Sequence, residues 1–323
     1  MLWKEMSVRA LAVIASVVAV MAVPGGAFAD DSWPSAGQNI ENTRHQKTES
    51  TLDPTNVGGL VVKWQAMIGY DVSATPAVEG NFIYVTDWGI PSIGVAGHLT
   101  KLDRHTGAIV WQRSLQDYTG LIGNLARTTP AIHKDLLIFG DQGGRGSFIP
   151  GQVGSANLLA VDKNSGDLVW STRLDSHYAA IITQSATVFQ DVVYVGVASL
   201  EELFAAFNPA ACCSFRGSMA AVDANTGAIL WQTYTAPAGY AGNAIWGSSP
   251  AIDKNRKQVY IATGNNYSSP DAFIDCFVAA GDDNAAQLAC IDPQNYFDAI
   301  MAFDMDTGAV NWSNTVIPFD VWT

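Results

Sequence analysis

The sequence predicts an all-β repeat protein, and three observations carry that expectation. A nine-residue frame, Asp-x-x-(Thr/Ser)-Gly-x-x-x-Trp, occurs four times, at 103–111, 162–170, 223–231 and 304–312; its glycines Gly107, Gly166, Gly227 and Gly308 are spaced by 59, 61 and 81 residues. Strand-like segments flank every copy, and a further pair lies upstream of each. After residue 30 no segment shows a helical period strong enough to compete. Four strands per unit, repeated, is the pattern of a β-propeller blade. The predicted architecture is a β-propeller of four-stranded blades with Trp-docking repeats, with about half of an eight-bladed ring present.

Residues 1–29 read as a secretory signal. Lys4 and Arg9 form a positive start, 10–23 an apolar run of 14 residues, and Ala27-Phe-Ala29 a small-residue cleavage site. That run is short for a bilayer span, so a cleaved signal and a periplasmic or secreted location are predicted, without a stable membrane span. From 30 to 323 the chain is predicted to be one partial propeller. The segment Leu60-Val-Val-Lys-Trp64 reads as the last strand of a blade whose other strands do not precede it. The unit strands follow in order: 74–78 with 82–85, 129–132 with 136–139, 185–188 with 192–195, and 249–252 with 258–261. Each pair leads to a hairpin whose first strand ends at the frame Asp (98–102, 157–161, 218–222, 299–303). In that hairpin the Asp can bind turn amides two residues on, and the Gly takes the positive φ of a tight turn. Two insertions interrupt the pattern, 201–214 in the third unit and 268–297 in the fourth; rim insertions of this kind tend to carry specificity.

Net charge is −13, with no basic stripe, which argues against nucleic acid as a partner. Cys276 and Cys290 bracket the second insertion and predict a loop-closing disulfide in an oxidising compartment. Cys212 and Cys213 are adjacent, a much rarer arrangement. The five histidines show no metal-ligand spacing. Gly143-Gly-Arg-Gly146 opens no helix and reads as a blade loop rather than a phosphate cradle.

A family resemblance rests on residues outside the frame as well as on the frame. Trp33-Pro-Ser-Ala-Gly-Gln-Asn39 with Asn42-Thr-Arg44, Asn56-Val-Gly-Gly-Leu60, Ala244-Ile-Trp-Gly-Ser-Ser-Pro250 and Tyr260-Ile-Ala-Thr-Gly-Asn265 resemble the pyrroloquinoline quinone (PQQ) alcohol dehydrogenases, and Cys-Cys-Ser-Phe-Arg-Gly-Ser (212–218) is similar to the polyvinyl alcohol dehydrogenase branch. The resemblance covers nearly all of the chain after residue 29. It implies PQQ and Ca²⁺ as cofactors, an alcohol substrate and a c-type cytochrome as electron acceptor. By the same resemblance Arg127 bonds the quinone oxygens, Thr183 a cofactor carboxylate, and Trp246 forms the stacking floor. Glu201, with Glu202 as the neighbouring choice, and Asn265 are the implied metal ligands, which suits an oxygen-seeking cation.

The chain departs from the family pattern twice. Relatives place adjacent cysteines over the cofactor in the unit of Arg127, where this chain has Leu121 and Ile122; here Cys212 and Cys213 fall one unit later, as a displaced candidate lid. Relatives also carry Asp after Trp in Pro-x-Asp-x-Trp-Asp, whereas this chain reads Pro318-Phe-Asp-Val-Trp-Thr323, leaving Asp320 as the candidate catalytic base. The implied reaction is oxidation of an alcohol to a carbonyl, with secondary alcohols, polyvinyl alcohol among them, as the expected substrates. Two rivals stand beside it: a non-catalytic periplasmic propeller acting as a binding or assembly scaffold, and a sugar dehydrogenase of the same cofactor class. No Cys-x-x-Cys-His occurs, so no haem attachment within these residues is implied.

Overall fold

A computed structural model describes residues 31–144, 154–247, 249–317 and 320–321. The predicted signal segment, Arg145 and Gly146 of the glycine-rich loop, and Pro318, Phe319, Trp322 and Thr323 lie outside the described residues. Four antiparallel sheets, each with its strands in chain order, form four blades. Blade 1 holds Ala77–Glu79, Phe82–Thr86, His98–Asp103 and Ile109–Ser114, and blade 2 holds Ala131–His133, Leu136–Gly140, Asn157–Asp162 and Leu168–Arg173. Blade 3 holds Thr187–Phe189, Val192–Ser199, Ser218–Asp223 and Ile229–Tyr234, with Ala180–Ile181 added beside its long second strand. Blade 4 holds Ala251–Asp253, Gln258–Ala262, Ala299–Asp304 and Val310–Thr315. The blades do not close into a ring among the described residues. The first strand of each blade starts two or three residues later than the sequence pattern suggested; in three blades it begins just after Pro76, Pro130 or Pro250, whose missing N–H cannot serve a ladder.

The frame explains how blades stack. Asp103 Oδ1 accepts from His105 N at 3.0 Å and Thr106 N at 2.8 Å, and Asp162, Asp223 and Asp304 repeat the turn. Each frame Gly has φ between 72° and 77°, and each lies against the Trp of the preceding unit. A Cβ on Gly107 would fall 2.5 Å from Trp64, one on Gly227 2.8 Å from Trp170, and one on Gly308 2.5 Å from Trp231. Glycine thus meets two demands at one position, the left-handed turn and the flat contact with an indole. Trp64, Trp170 and Trp231 also donate Nε1–H to the carbonyl one residue past the next frame Asp, at Arg104, Ala224 and Met305. In blade 1 that acceptor, Lys163 O, is taken by Lys101 Nζ at 3.0 Å, and Trp111 Nε1 has no acceptor.

Trp64 therefore docks like a frame Trp, but the expectation of a last blade strand at 60–64 is corrected: among the described residues this segment pairs with no strand, and Val61, Val62 and Met67 are 75–87% exposed. The expectation of no helices is corrected by the insertions. The fourth unit's insertion folds as two helices, α3 (Asp271–Ala280) and α4 (Asn284–Ala289), stapled by the Cys276–Cys290 disulfide. Unbranched and alanine-rich stretches there favour helix once no neighbouring strand offers a ladder. Short helices α1 (Leu115–Thr119) and α2 (Glu201–Ala205) sit on the rims of blades 1 and 3. Among the described residues no helix is long and apolar enough to cross a membrane.

Candidate functional site

The first strands of blades 1, 2 and 3 lie against one another, which puts them nearest the axis of the partial ring. Residues just before these strands line a cavity of about 290 Å³ that holds Ser73, Thr75, Arg127, Thr129, Thr183, Ser185 and Gly247. Ser73, Arg127, Thr183 and Gly247 each stand four residues before the first strand of their blade; Thr75, Thr129 and Ser185 each stand two before it. Equivalent positions of successive blades therefore converge on one space. Trp88 and the lead-in residues Ala36 and Arg44 complete the lining, and none of the lining residues is acidic.

The polar groups of this cavity are held by neighbours. Trp88 donates Nε1–H to Ser73 Oγ at 2.8 Å, and its ring lies 5.6 Å from the Arg127 guanidinium. Burial lowers the Arg127 pKa from the ordinary arginine value, so the cation sits in a site that favours a counter-charge. Ser185 Oγ accepts from Thr129 N at 2.9 Å, and Thr183 donates its hydroxyl to the carbonyl of Trp246. Arg127 and Thr183 are thus brought together as the sequence suggested, with Trp246 tied to Thr183 through its backbone. The indole of Trp246 packs beside Gly264 and against the same apolar cluster as Cys212 and Cys213.

Those cysteines form a disulfide across a cis peptide bond. The loop that follows is fastened to Glu201, which is only 2% exposed. Its carboxylate accepts from Ser214 N at 3.0 Å, Phe215 N at 2.8 Å and Ser214 Oγ at 3.2 Å, and faces His177 Nε2 at 3.1 Å. Burial alone would raise its pKa, but the His177 contact and the two amides outweigh it and hold the carboxyl below its usual value. A cation at Glu201 would have to share oxygens already occupied by these donors. Glu202, next along α2, accepts from Ala206 N through its backbone carbonyl, but among the described residues its carboxylate accepts no hydrogen bond, and burial raises its pKa. Asn265 donates Nδ2–H to Asn266 O at 2.9 Å, which leaves its amide oxygen turned to other donors or a cation. No group of three His, Cys, Asp or Glu side chains among the described residues could alone hold a metal, so any cation here would rely on amide and ligand oxygens.

Asp320 accepts at its backbone from Asn266 N at 3.2 Å, which brings the candidate base next to the Asn265 turn. Opposite it stands Asp298, a residue the motif reading missed. Burial, then the Asp320 charge, pushes the Asp298 carboxyl up to about 6. Ser73, Trp88 and Arg44 were missed as well. The four-before-the-strand offset would have flagged Ser73; nothing local marks Trp88 or Asp298.

The comparisons with known proteins agree with this architecture. The family model described as outer membrane protein assembly factor BamB (PQQ_2) matches residues 59–157 and 151–317. A polyvinylalcohol dehydrogenase of a Pseudomonas species is 28% identical over 305 residues, covering 90% of this chain and 41% of that protein. A quinohemoprotein alcohol dehydrogenase, ADH IIB, of Pseudomonas putida is 24% identical over 350 residues, covering 97% of this chain and 43% of that protein. The chain thus spans about two fifths of the length of the curated relatives it matches. Among solved structures, the quinohemoprotein alcohol dehydrogenase of Comamonas testosteroni superposes with a TM-score of 0.64 at 22% identity, covering 90% of this chain and 42% of that one. A europium-containing methanol dehydrogenase gives 0.60 at 19%, covering 90% and 50%; both likenesses concern the fold. With the family model matched across most of its length and four Trp-docked blades in register, the chain belongs to the PQQ_2 family, within the β-propeller superfamily of quinoproteins that resemble the PQQ-dependent alcohol dehydrogenases.

Proposed function

We propose that the axial cavity belongs to a PQQ-dependent alcohol dehydrogenase and takes that planar, multiply carboxylated cofactor. The observation that carries the reading is the convergence of Arg127, Thr183 and Ser185 beside an indole, without any acidic lining residue, in a chain of net charge −13. Such a lining offers a guanidinium and hydroxyl donors to carboxylate and carbonyl oxygens, and aromatic surface to a flat ring. The residues present fit PQQ; when bound, it would accept the hydride from the alcohol. Arg127 would hold the quinone oxygens, and Thr183, whose hydroxyl is bonded to the Trp246 carbonyl, would hold a cofactor carboxylate, with the Trp246 indole as the proposed stacking surface. Cys212 and Cys213, fastened through Glu201, cover the neighbouring apolar wall and limit water.

Asp320, beside Asp298, is proposed to take the alcohol proton. A pair in which one carboxyl is pushed up to about 6 is suited to hold and release a proton near neutrality. For Ca²⁺, Asn265 and Glu202 are the groups with oxygens to offer, and Glu201 joins them if its loop donors are shared. A secondary alcohol, with polyvinyl alcohol as the polymeric case, is the proposed substrate, and a c-type cytochrome the proposed acceptor. The second reading, a periplasmic binding or assembly scaffold, is favoured by the description of the matched family model. One experiment separates them: incubate the protein with PQQ and Ca²⁺, then follow tryptophan quenching and dye reduction with 2-butanol. Quenching that is lost in Trp246→Ala, whose circular dichroism stays unchanged, supports the enzyme; no quenching in the unmutated protein favours the scaffold.

A further inference from the structure

We infer that Arg44, delivered by the lead-in segment, is a second cationic contact for the anionic ligand of the axial cavity, so that the segment before the first blade is part of the binding site. The inference rests on the anionic-cofactor reading but concerns a residue and a segment that reading does not use.

The segment runs across the first strands of blades that are distant in sequence. Trp33 and Val78 of blade 1 exchange backbone hydrogen bonds at 2.8 Å in both directions. Pro34 O accepts from Ile132 N of blade 2 at 2.8 Å, and Ile40 O accepts from Ile252 N of blade 4 at 2.7 Å. Asn42 donates Nδ2–H to Ser249 O, just before blade 4, at 3.0 Å. Residues 33–42 are therefore fixed to three blades at once, and whatever follows is positioned relative to all of them.

Arg44 follows directly. Gln38, Asn42 and Arg44 have φ of 72°, 54° and 53°, a left-handed conformation that asparagine tolerates but that costs residues such as Gln38 and Arg44 about 1 kcal/mol or more each. Such backbone persists only where surrounding contacts determine it. Here Arg44 N donates to Gly37 O at 3.0 Å, and Gly37 itself is packed so closely that an added Cβ would fall 2.2 Å from the Asn42 side chain. The tight turn brings Arg44 to the lining shared with Arg127 and Thr183. Arg44 is exposed at the cavity mouth, and among the described residues its side chain makes no hydrogen bond or ion pair, in contrast to Arg104, which pairs with Asp31, and Arg256, which pairs with Asp253. Two guanidiniums lining one cavity, with no acidic residue beside them, offer complementary charge and bidentate donors to a ligand bearing several carboxylates.

The test measures PQQ binding to the full chain by tryptophan quenching, with Arg44→Gln, Arg44→Lys and Arg127→Gln, at several salt concentrations. The trimethyl ester of PQQ serves as the neutral probe. Arg44→Gln is expected to weaken PQQ binding about 10-fold, the size of a charge-assisted contact, and to flatten the salt dependence. Lysine should restore part of the loss, and the ester should bind the unmutated and Arg44→Gln chains within about twofold of each other. Equal affinity and salt slope in Arg44→Gln overturn this inference while leaving the cofactor reading intact. Absence of PQQ binding by the unmutated chain overturns both. As a second variant, Asn42→Ala removes the side-chain bond from the turn to Ser249 O and should reproduce part of the loss with Arg44 still present; a melting temperature within about 2 °C of the unmutated chain assigns the loss to the site rather than to unfolding.

Discussion

Asp298 and Asp320 show how burial and a like charge act together on one proton. The Asp298 carboxyl is pushed up to about 6, first by burial and then by Asp320, so in the folded chain it holds its proton above the range in which it would in the unfolded chain. A raised carboxyl pKa contributes stability below the unfolded value of about 4 and loses that contribution as pH rises through about 6. Asp298→Asn is therefore expected to raise the melting temperature at pH 7–8 and leave it nearly unchanged at pH 4, in scans of both proteins across that range. The substitution is compatible with the local backbone, whose φ of 42° suits asparagine as well as aspartate. A uniform shift at every pH would assign the effect to packing instead. Glu201 illustrates the opposite balance, a buried carboxylate kept charged by His177 and two backbone amides. Its role in holding the Ser214 loop could not be read from the sequence, because nothing in the 13-position separation between them says that the chain returns to the same point.

The blade-to-blade contact gives two predictions for an element and its neighbour. Trp111 and Trp170 are equally buried at 8% exposure, but only Trp170 has an acceptor for Nε1–H, at Ala224 O. Trp170→Phe should therefore cost about 1 kcal/mol more than Trp111→Phe in urea unfolding, the net value of one hydrogen bond. Equal costs would mean that the acceptor contributes nothing. Gly227→Ala should be harsher, roughly 2–4 kcal/mol, since it combines a positive φ with a Cβ 2.7 Å from Thr172 Oγ1. The insertion in blade 4 behaves as a separate element. Its Cys276–Cys290 disulfide closes a loop between α3 and α4, and reduction is expected to expose 271–290 to proteolysis while the blades keep their circular dichroism. The cysteine pairing was legible from the chain; the helices were not, because alanine-rich segments fit several conformations until packing chooses one.

Across the whole molecule, the exposed surfaces at the two ends of the blade series are the counterpart of the buried ones within it. Trp312 occupies the same frame position as Trp111 and Trp170, yet it is 43% exposed and meets no frame glycine. Trp312→Phe should change stability by less than about 0.5 kcal/mol, where Trp231→Phe costs more because Trp231 rests on Gly308 and bonds Met305 O. At the other end, Val61 and Val62 leave apolar side chains and unpaired backbone in water, a recognised route to association. Replacing both by lysine is expected to lower concentration-dependent light scattering with no loss of melting temperature. The sequence by itself determined the blades and their number among these residues, because each frame turn is closed by contacts within ten residues and recurs with the same flanking strands, whereas the seating of each Trp on the next unit's Gly is a contact between blades. It also marked Arg127, Thr183 and Trp246, which stand near a constant offset before the first strands. Only the tertiary structure decided that Ser73, Trp88 and Arg44 share their cavity, that Asp298 faces Asp320, and that Glu201 holds the disulfide loop. These pairings depend on distances across blades and on a lead-in segment laid over three of them, and no local preference of the chain encodes such distances.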